Sequence, residues 1–410
     1  MADAGSYFTY AYNLKYNDVY SDSTLSLENS NQTVIPNAVR PPGYPLFLVP
    51  FLSDLPINIV LKNIYLAQAL ISIMCIFFSY LIFRIFLSLP CSLAGSLLVA
   101  LSPHLIVCNS YILTETLFCF FVIVFTLLII SFYNKPSLFL AFITGVIIGL
   151  ASLVRSSLQF FPIFLLFFLV FNYKFKKGVY FFILLLLGMV VCLSPWIVRN
   201  LNTLGKPADN RQTVNFLHHG IYPDFIFDKK VETFGFPYLY DPRSSEISKD
   251  VGSAIKEIGR RFKEDFIAQA NWYIFKKPFY FWQWDIVQGF GDIYIYPVKT
   301  SPFFGNKIFI WSHQVMRILH WPFTVLCAFG CILAWFPFPT HIHSSKSLLI
   351  SRFISILLIY YTVIHMVGAP FPRYSIPLRP FLYGMALFQI QSLFYLFKAH
   401  FNKQKQDMPN

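Results

Sequence analysis

An arginine set among prolines is the clearest chemical signal in this chain. In Arg40-Pro41-Pro42-Gly43-Tyr44-Pro45, prolines and a glycine restrict the backbone around a guanidinium. A rigid, permanently charged fork suits a phosphate better than it suits a structural partner. Other charged residues stand beside apolar stretches: Asp3, Glu115 in Leu113-Thr114-Glu115-Thr116, Arg155, Arg199 in Pro195-Trp196-Ile197-Val198-Arg199-Asn200, and Arg373 in Pro370-Phe371-Pro372-Arg373-Tyr374. Arginines can hold an anionic leaving group and stabilise the charge it gains as its bond breaks. A carboxylate can take the proton from an attacking hydroxyl. No glycine-rich phosphate loop accompanies these residues, which fits a lipid-borne donor and equally a chain with no donor.

The elements that must position these groups are apolar. Of 410 residues, 56% are hydrophobic and only 12% charged, with 48 phenylalanines and a mean hydropathy of +0.57. A soluble domain carries about twice that charged fraction. Several apolar stretches reach the ~20 residues that cross a bilayer core. The expected fold is an all-α polytopic membrane protein. The formal charge of +13 reads as loop charge on one side of a membrane, not as a nucleic-acid surface. The seven cysteines are scattered, mostly within apolar segments, and form no disulfide or metal pattern.

About nine transmembrane spans are expected, near 64–88, 92–108, 115–133, 137–153, 157–172, 178–197, 315–336, 349–368 and 376–398. Residues 46–60, broken by Pro50, Asp54 and Pro56, read as a surface or re-entrant helix. With residues 1–63 outside, the inner loops carry Arg84, Lys135, the Lys174, Lys176 and Lys177 group, Lys346, and Lys398, Lys403 and Lys405, so every one is positive as the positive-inside rule requires. The expected organisation is a first extracytoplasmic loop at 1–63, a helix bundle at 64–197, a large mixed extracytoplasmic region at 198–310, C-terminal helices at 311–398 and a cytoplasmic tail at 399–410. Asp3, Arg40, Glu115, Arg155, Arg199 and Arg373 then all fall on the outer side. Charges near a bilayer need partners or a task, and outer arginines run against the positive-inside bias.

In the large outer region, 246–275 reads as a helical piece in which Glu257, Arg260, Arg261 and Glu264 can pair. The stretch Pro278-Phe279-Tyr280-Phe281-Trp282-Gln283-Trp284 reads as an interfacial helix, or as a wall that stacks on a sugar. His218-His219 is open to a turn, a sugar contact or a metal pair. Asp285, Asp292 and Tyr296 are open to acceptor binding, with loop capping the simpler reading. His341 and His343 fall in an inner loop, and Asn31-Gln32-Thr33 is a glycosylation sequon.

Taken together these pieces resemble the type-C membrane glycosyltransferases, in particular the family of protein O-mannosyltransferases, lipid A aminoarabinose transferases and bacterial lipopolysaccharide sugar transferases. The resemblance rests on Asp3-x-x-x-Tyr7-x-x-x-Ala11, Arg40-Pro41-Pro42-Gly43-Tyr44-Pro45, Thr114-Glu115, Arg155, Pro195-Trp196-x-x-Arg199-Asn200 and Arg373-Tyr374 followed by Pro377. It implies transfer, with inversion, of a sugar from a polyprenyl-phosphate donor to an extracytoplasmic acceptor: lipid A, a glycan or a protein. It gives Asp3 the part of catalytic base, with Glu115 as a second carboxylate, and makes Arg40, Arg155 and Arg373 the donor-phosphate contacts. Tyr7, Tyr44, His219 and Tyr374 become candidate acceptor or sugar contacts. Many relatives have an acidic pair where this chain has Asp3-Ala4. No cofactor is expected; some relatives admit a divalent ion, and none is expected here. The implied partners are the donor, the bilayer and the acceptor, and the implied place is the bacterial inner membrane with the site facing the periplasm.

Two other classes fit parts of the pattern. A transporter would favour ionisable groups in mid-span and internal repeats, and the spans here are nearly free of charge with no clear repeat. A non-catalytic scaffold would retain the fold without the base. The resembling family begins with a helix before the acidic loop, and a 63-residue outer segment otherwise has no span ahead of it. A first transmembrane helix upstream of Met1 is therefore expected. An in-frame apolar segment just upstream in the gene would bear this out, and a stop codon there would remove it.

Overall fold

Long apolar runs leave the backbone no water to bond to, so its N–H and C=O groups must satisfy one another within helices. The computed structural model describes residues 3–23, 34–337 and 344–406. The Asn31 sequon and the His341–His343 pair lie outside them. In chain order the helices are α1 (Asp3–Tyr16), α2 (Gly43–Leu48), α3 (Ile57–Phe86), α4 (Leu89–Leu101), α5 (Pro103–Cys108), α6 (Glu115–Asn134), α7 (Leu138–Val154), α8 (Pro162–Asn172), α9 (Phe175–Leu204), α10 (Arg211–Gly220), α11 (Ser244–Ile247), α12 (Val251–Glu264), α13 (Phe266–Ala270), α14 (Lys277–Trp282), α15 (Pro302–Gly305), α16 (Lys307–Leu333), α17 (Ser345–Val367) and α18 (Arg379–Gln406). Two isolated bridges, Phe227–Lys230 and Gly291–Tyr294, are the only extended pairing among the described residues.

All nine expected segments are helical. Six helices are long and apolar enough to cross a membrane: Ile57–Phe86, Glu115–Asn134, Phe175–Leu204, Lys307–Leu333, Ser345–Val367 and Pro372–Lys398. Leu89–Leu101, Leu138–Val154 and Ser156–Asn172 are apolar but shorter. Pro103 and Pro162 start new helices there and break the longer runs. The helices α6 and α17 and the Pro372–Lys398 span form the centre, with 61%, 61% and 67% of their windows buried, while α9 has 22% buried. On α3 and α9 the outward residues are Leu66, Leu70, Ile73, Phe77, Ile183, Leu187 and Val190, an apolar face suited to lipid.

Two parts of the outer segments differ from the expectation. The opening is a helix, because Tyr7 and Ala11 recur at a spacing of four and are both buried. The 246–275 piece is not one helix: it takes in the end of α11, then α12 and α13. Asp265 leaves helical geometry and caps α13 by accepting from the Ala268 N–H at 2.9 Å, and the chain then runs through a π-turn at Asn271–Lys276 into α14. The expected pairs in α12 form: Glu257 bonds Arg260 at 2.6 Å and Arg261 at 2.9 Å, and Arg260 also pairs with Glu264.

Gly43 explains the Pro-Pro-Gly sequence. A Cβ there would lie 2.7 Å from the backbone of Leu153, so only glycine lets α2 touch the last turn of α7. That contact seats the Arg40 turn against the end of α7. Gly43→Ala must push α2 off α7 and is expected to destabilise the protein by about 1–3 kcal/mol. A fall in the thermal midpoint of the detergent-solubilised protein would register it, and an unchanged midpoint would remove this account of Gly43.

Candidate active site

Helix ends aim the deepest charged groups. Glu115 is the first residue of α6, where the helix dipole favours a negative charge. Arg155 follows the last residue of α7 in extended geometry, with φ −152° and ψ 118°, where the dipole favours a positive one. Lys135 follows the far end of α6, so the basic loop and the carboxylate lie at opposite ends of that helix. Gln68, fully buried on α3, ties this end together. It donates to the carbonyls of Asn109 and Tyr111 at 2.9 Å and accepts from the Tyr44 hydroxyl at 2.7 Å.

The outer groups are held by a strap and a loop. Tyr20 donates its hydroxyl to the carbonyls of Arg40 and Pro41 at 2.9 and 3.1 Å. Arg199, at the end of α9, donates to the carbonyls of Tyr20 at 2.9 Å and Asn37 at 3.0 Å. Asp3 opens α1, and the neighbouring Ala4 N–H donates to the Tyr296 hydroxyl at 3.3 Å. Arg373 opens the 3-10 turn Pro372–Leu378 that leads into α18.

These five side chains form one alternating chain. Arg40 Nη2 meets Asp3 Oδ1 at 2.5 Å, and Asp3 Oδ2 meets Arg373 Nη1 at 2.8 Å. Arg373 Nε meets Glu115 Oε1 at 2.5 Å, and the same oxygen lies 3.5 Å from Arg155 Nη2. Exposure rises along the chain from 0% for the Glu115 side chain to 32% for that of Asp3. Glu115 is thus sealed in, and Asp3 can be reached. Two buried atoms here have no hydrogen-bond partner among the described residues, Glu115 Oε2 and Arg155 Nη1. Burial works against the charge on Asp3, but Arg373 and Arg40 outweigh it and hold the carboxyl down at about 2.

Rings line the chain. Arg40 lies 5.3 Å over Tyr7, and Arg155 lies 4.5 Å over Tyr374. Tyr7 supports Arg40 from a buried position, and Tyr374 is half-buried. Tyr44, expected as a sugar contact, is fully buried with its hydroxyl engaged by Gln68, so it braces the turn instead. Arg199, expected at the outer face with the other arginines, holds the strap and makes no ion pair in the chain. The histidines diverge. His218 bonds the Tyr222 hydroxyl at 2.9 Å within the loop region. His219 stacks on Tyr238, with centroids 4.1 Å apart and planes at 11°. Burial, helped by His218, pushes the His219 imidazole down to about 4, so it is neutral at pH 7. No three His, Cys, Asp or Glu side chains among the described residues gather as a metal set.

Gln68 and Tyr238 were invisible as site residues in the sequence, since a lone polar or aromatic residue carries no spacing signal, whereas Tyr296, open there to acceptor binding, instead accepts from the Ala4 N–H beside Asp3. Asp292 accepts from Trp284 Nε1 at 2.6 Å and lies 2.8 Å from His313 Nε2 on α16. Depressions of about 330 and 560 Å³ lie on the large loop region, lined by residues such as Lys206 and Arg211 or Arg243 and Lys263, and neither borders the ionic chain.

Residues 40–198 match the family model described as dolichyl-phosphate-mannose-protein mannosyltransferase. The matched stretch contains Arg40, Glu115 and Arg155 and supports a place in the membrane glycosyltransferase superfamily. Neither a search of curated proteins nor a search of solved structures finds a match.

The Asp3 clamp has a pH signature. Its folded pKa lies below the ordinary 3.8, so its contribution is full above about pH 4 and fades as pH falls through about 2. At pH 7 Asp3→Asn should lose about 2 kcal/mol or less, since the group is partly exposed. Thermal midpoints of wild type and Asp3→Asn, measured from pH 6 down to 2, should converge at the acid end. A gap independent of pH would show that the ion pairs contribute nothing.

Proposed function

We propose that this chain is a glycosyltransferase that moves a hexosyl or pentosyl group from a polyprenyl-phosphate donor to an acceptor hydroxyl outside the cytoplasm, with inversion at the anomeric carbon. The observation that carries the reading is the alternating chain Arg40–Asp3–Arg373–Glu115–Arg155, with one cation in excess. The family whose model matches is described as using dolichyl-phosphate-mannose, which supports a lipid-phosphate donor here. The basic end of α6, at Lys135, lies away from the site, which supports a site on the periplasmic side of a bacterial inner membrane.

Charge balance favours a monophosphate-linked donor. Three arginines and two carboxylates sum to +1. A phosphodiester brings −1 and makes the site neutral. The acceptor oxygen attacks the anomeric carbon, the bond from that carbon to the phosphate oxygen breaks, and its electron pair stays on the phosphate. The hydroxyl proton passes to Asp3. The carrier phosphate then bears about −2 and Asp3 is neutral, so the site remains balanced through the reaction. Low dielectric makes such balance valuable.

A carboxyl held at about 2 is a weak base, and the arginines account for that. Donor phosphate competes with Asp3 for Arg40 and Arg373, and as the arginines turn to phosphate the Asp3 pKa rises toward its ordinary value. Glu115 keeps Arg373 and Arg155 in place from its sealed position, and Arg155 Nη1, unpartnered and buried, suits a phosphate oxygen. Asp3 is the base in this reading and Glu115 the residue that positions the cations.

In full-length protein reconstituted in nanodiscs, Asp3→Asn is expected to lower sugar transfer ~10²–10⁴-fold while binding undecaprenyl phosphate at least as tightly, because a competitor for the arginines has gone. Arg40→Gln should weaken that binding. Unchanged transfer in Asp3→Asn would take Asp3 out of the mechanism, and unchanged carrier binding in Arg40→Gln would take Arg40 out of the phosphate site.

A further inference from the structure

A row of rings leads away from the ionic chain. Tyr374, under Arg155, lies 5.5 Å from Phe371, and Phe371 lies 6.0 Å from His219. His219 then stacks on Tyr238 at 4.1 Å. His219 and Tyr238 are both half-buried, and Phe225, behind Phe371, is closed off completely. Both are near enough to Asp3 for its charge to act on them, and neither the imidazole nor the phenol takes a hydrogen bond from a described residue. One face of each ring is taken by the other, and their polar edges are left without a described partner in the neighbourhood of Asp3.

The row is held rigidly from three segments. Gly220, next to His219, packs so tightly on the end of α17 that a Cβ would lie 2.3 Å from the Gly368 carbonyl oxygen. Phe371 stacks on Phe225 at 4.9 Å and 18°. The turn before Tyr238 is pinned at Gly235, whose N–H donates to the Phe225 carbonyl at 3.0 Å and whose carbonyl accepts from Gln288 at 2.6 Å. An aromatic surface fixed this way loses little freedom when a ligand covers it.

We infer that this ring row is the acceptor subsite, that the acceptor it takes is a carbohydrate ring, and that Tyr238 is a specificity-determining residue. The inference rests on the transferase reading. A sugar offers apolar C–H faces to stack on a ring and hydroxyls for the ring's polar edges, which is what a stacked His–Tyr pair with free edges presents. A peptide that binds by pairing with a sheet edge has none to use here, since no strand occurs among the described residues. An acyl chain has no use for the polar edges.

The test compares cells with the gene deleted and complemented, with sugar-linkage analysis of the envelope-glycan fraction and the delipidated-protein fraction. The expected result is loss of one sugar from the glycan fraction alone, restored by wild type and by Tyr238→Trp and not fully by Tyr238→Ala. In purified protein Tyr238→Ala should raise the acceptor KM about tenfold while undecaprenyl phosphate binding stays within about twofold of wild type, which separates a lost contact from a misfolded chain. Loss of sugar from the protein fraction, or an unchanged acceptor KM in Tyr238→Ala, overturns the inference and leaves the transferase reading standing. A wild-type chain that neither binds undecaprenyl phosphate nor changes either fraction when deleted overturns both.

Discussion

Everything in the site depends on one guanidinium shared by two carboxylates. Arg373 reaches Asp3 with Nη1 and Glu115 with Nε, and so joins the opening helix to the start of α6. Taking those charges out of water carries a penalty of several kcal/mol per ion, recovered only where geometry is good. Arg373 meets that condition on two sides. Removing Asp3 would leave Arg40 without a carboxylate, removing Glu115 would do the same to Arg155, and removing Arg373 would cut the cluster into two separate pairs, so the cluster is interdependent in a way that an exposed ion pair is not.

The cluster is incomplete on its inner side. Glu115 Oε2 and Arg155 Nη1 are buried and without partners among the described residues, an arrangement that a folding-only role would not favour. Functional sites tolerate such groups because a ligand completes them. Apolar packing around them, from Phe118 beneath Arg155 to the buried Val154 and Leu113, keeps water out and keeps the orphaned atoms in place.

Around the ion pairs stands a frame of hydrogen bonds to neutral acceptors. Gln68 ties Tyr44 to the turn before α6, and Arg199 bonds backbone carbonyls. Arg379, buried six residues after Arg373, does likewise for the aromatic stretch: it bonds His320 Nδ1 at 2.6 Å and the Gln283 carbonyl at 3.3 Å. His104 holds the Trp284 carbonyl at 2.9 Å. These bonds pin residues 282–284 into the bundle, while Phe275 and Phe279 on the preceding turns stay exposed. The stretch read from the sequence as an interfacial helix or a sugar-stacking wall therefore has one end inserted and the other at the surface.

The sequence by itself determined the helical membrane class, the nine apolar segments and the kinds of residue able to handle a phosphate. Hydropathy and backbone hydrogen bonding act over one or two turns, so those features are local. Arg40, Glu115, Arg155 and Arg373 were legible because charge beside an apolar run is conspicuous. Only the tertiary structure decided which of them meet. Asp3 and Arg373 are 370 positions apart, and nothing local distinguishes Arg373, which enters the cluster, from Arg199, which braces a strap. It was packing, likewise, that buried Tyr44 against Gln68 and set Tyr238 against His219. Such contacts depend on where whole helices and loops come to rest, which Gly43 against α7 helps to fix and which no short window of residues encodes.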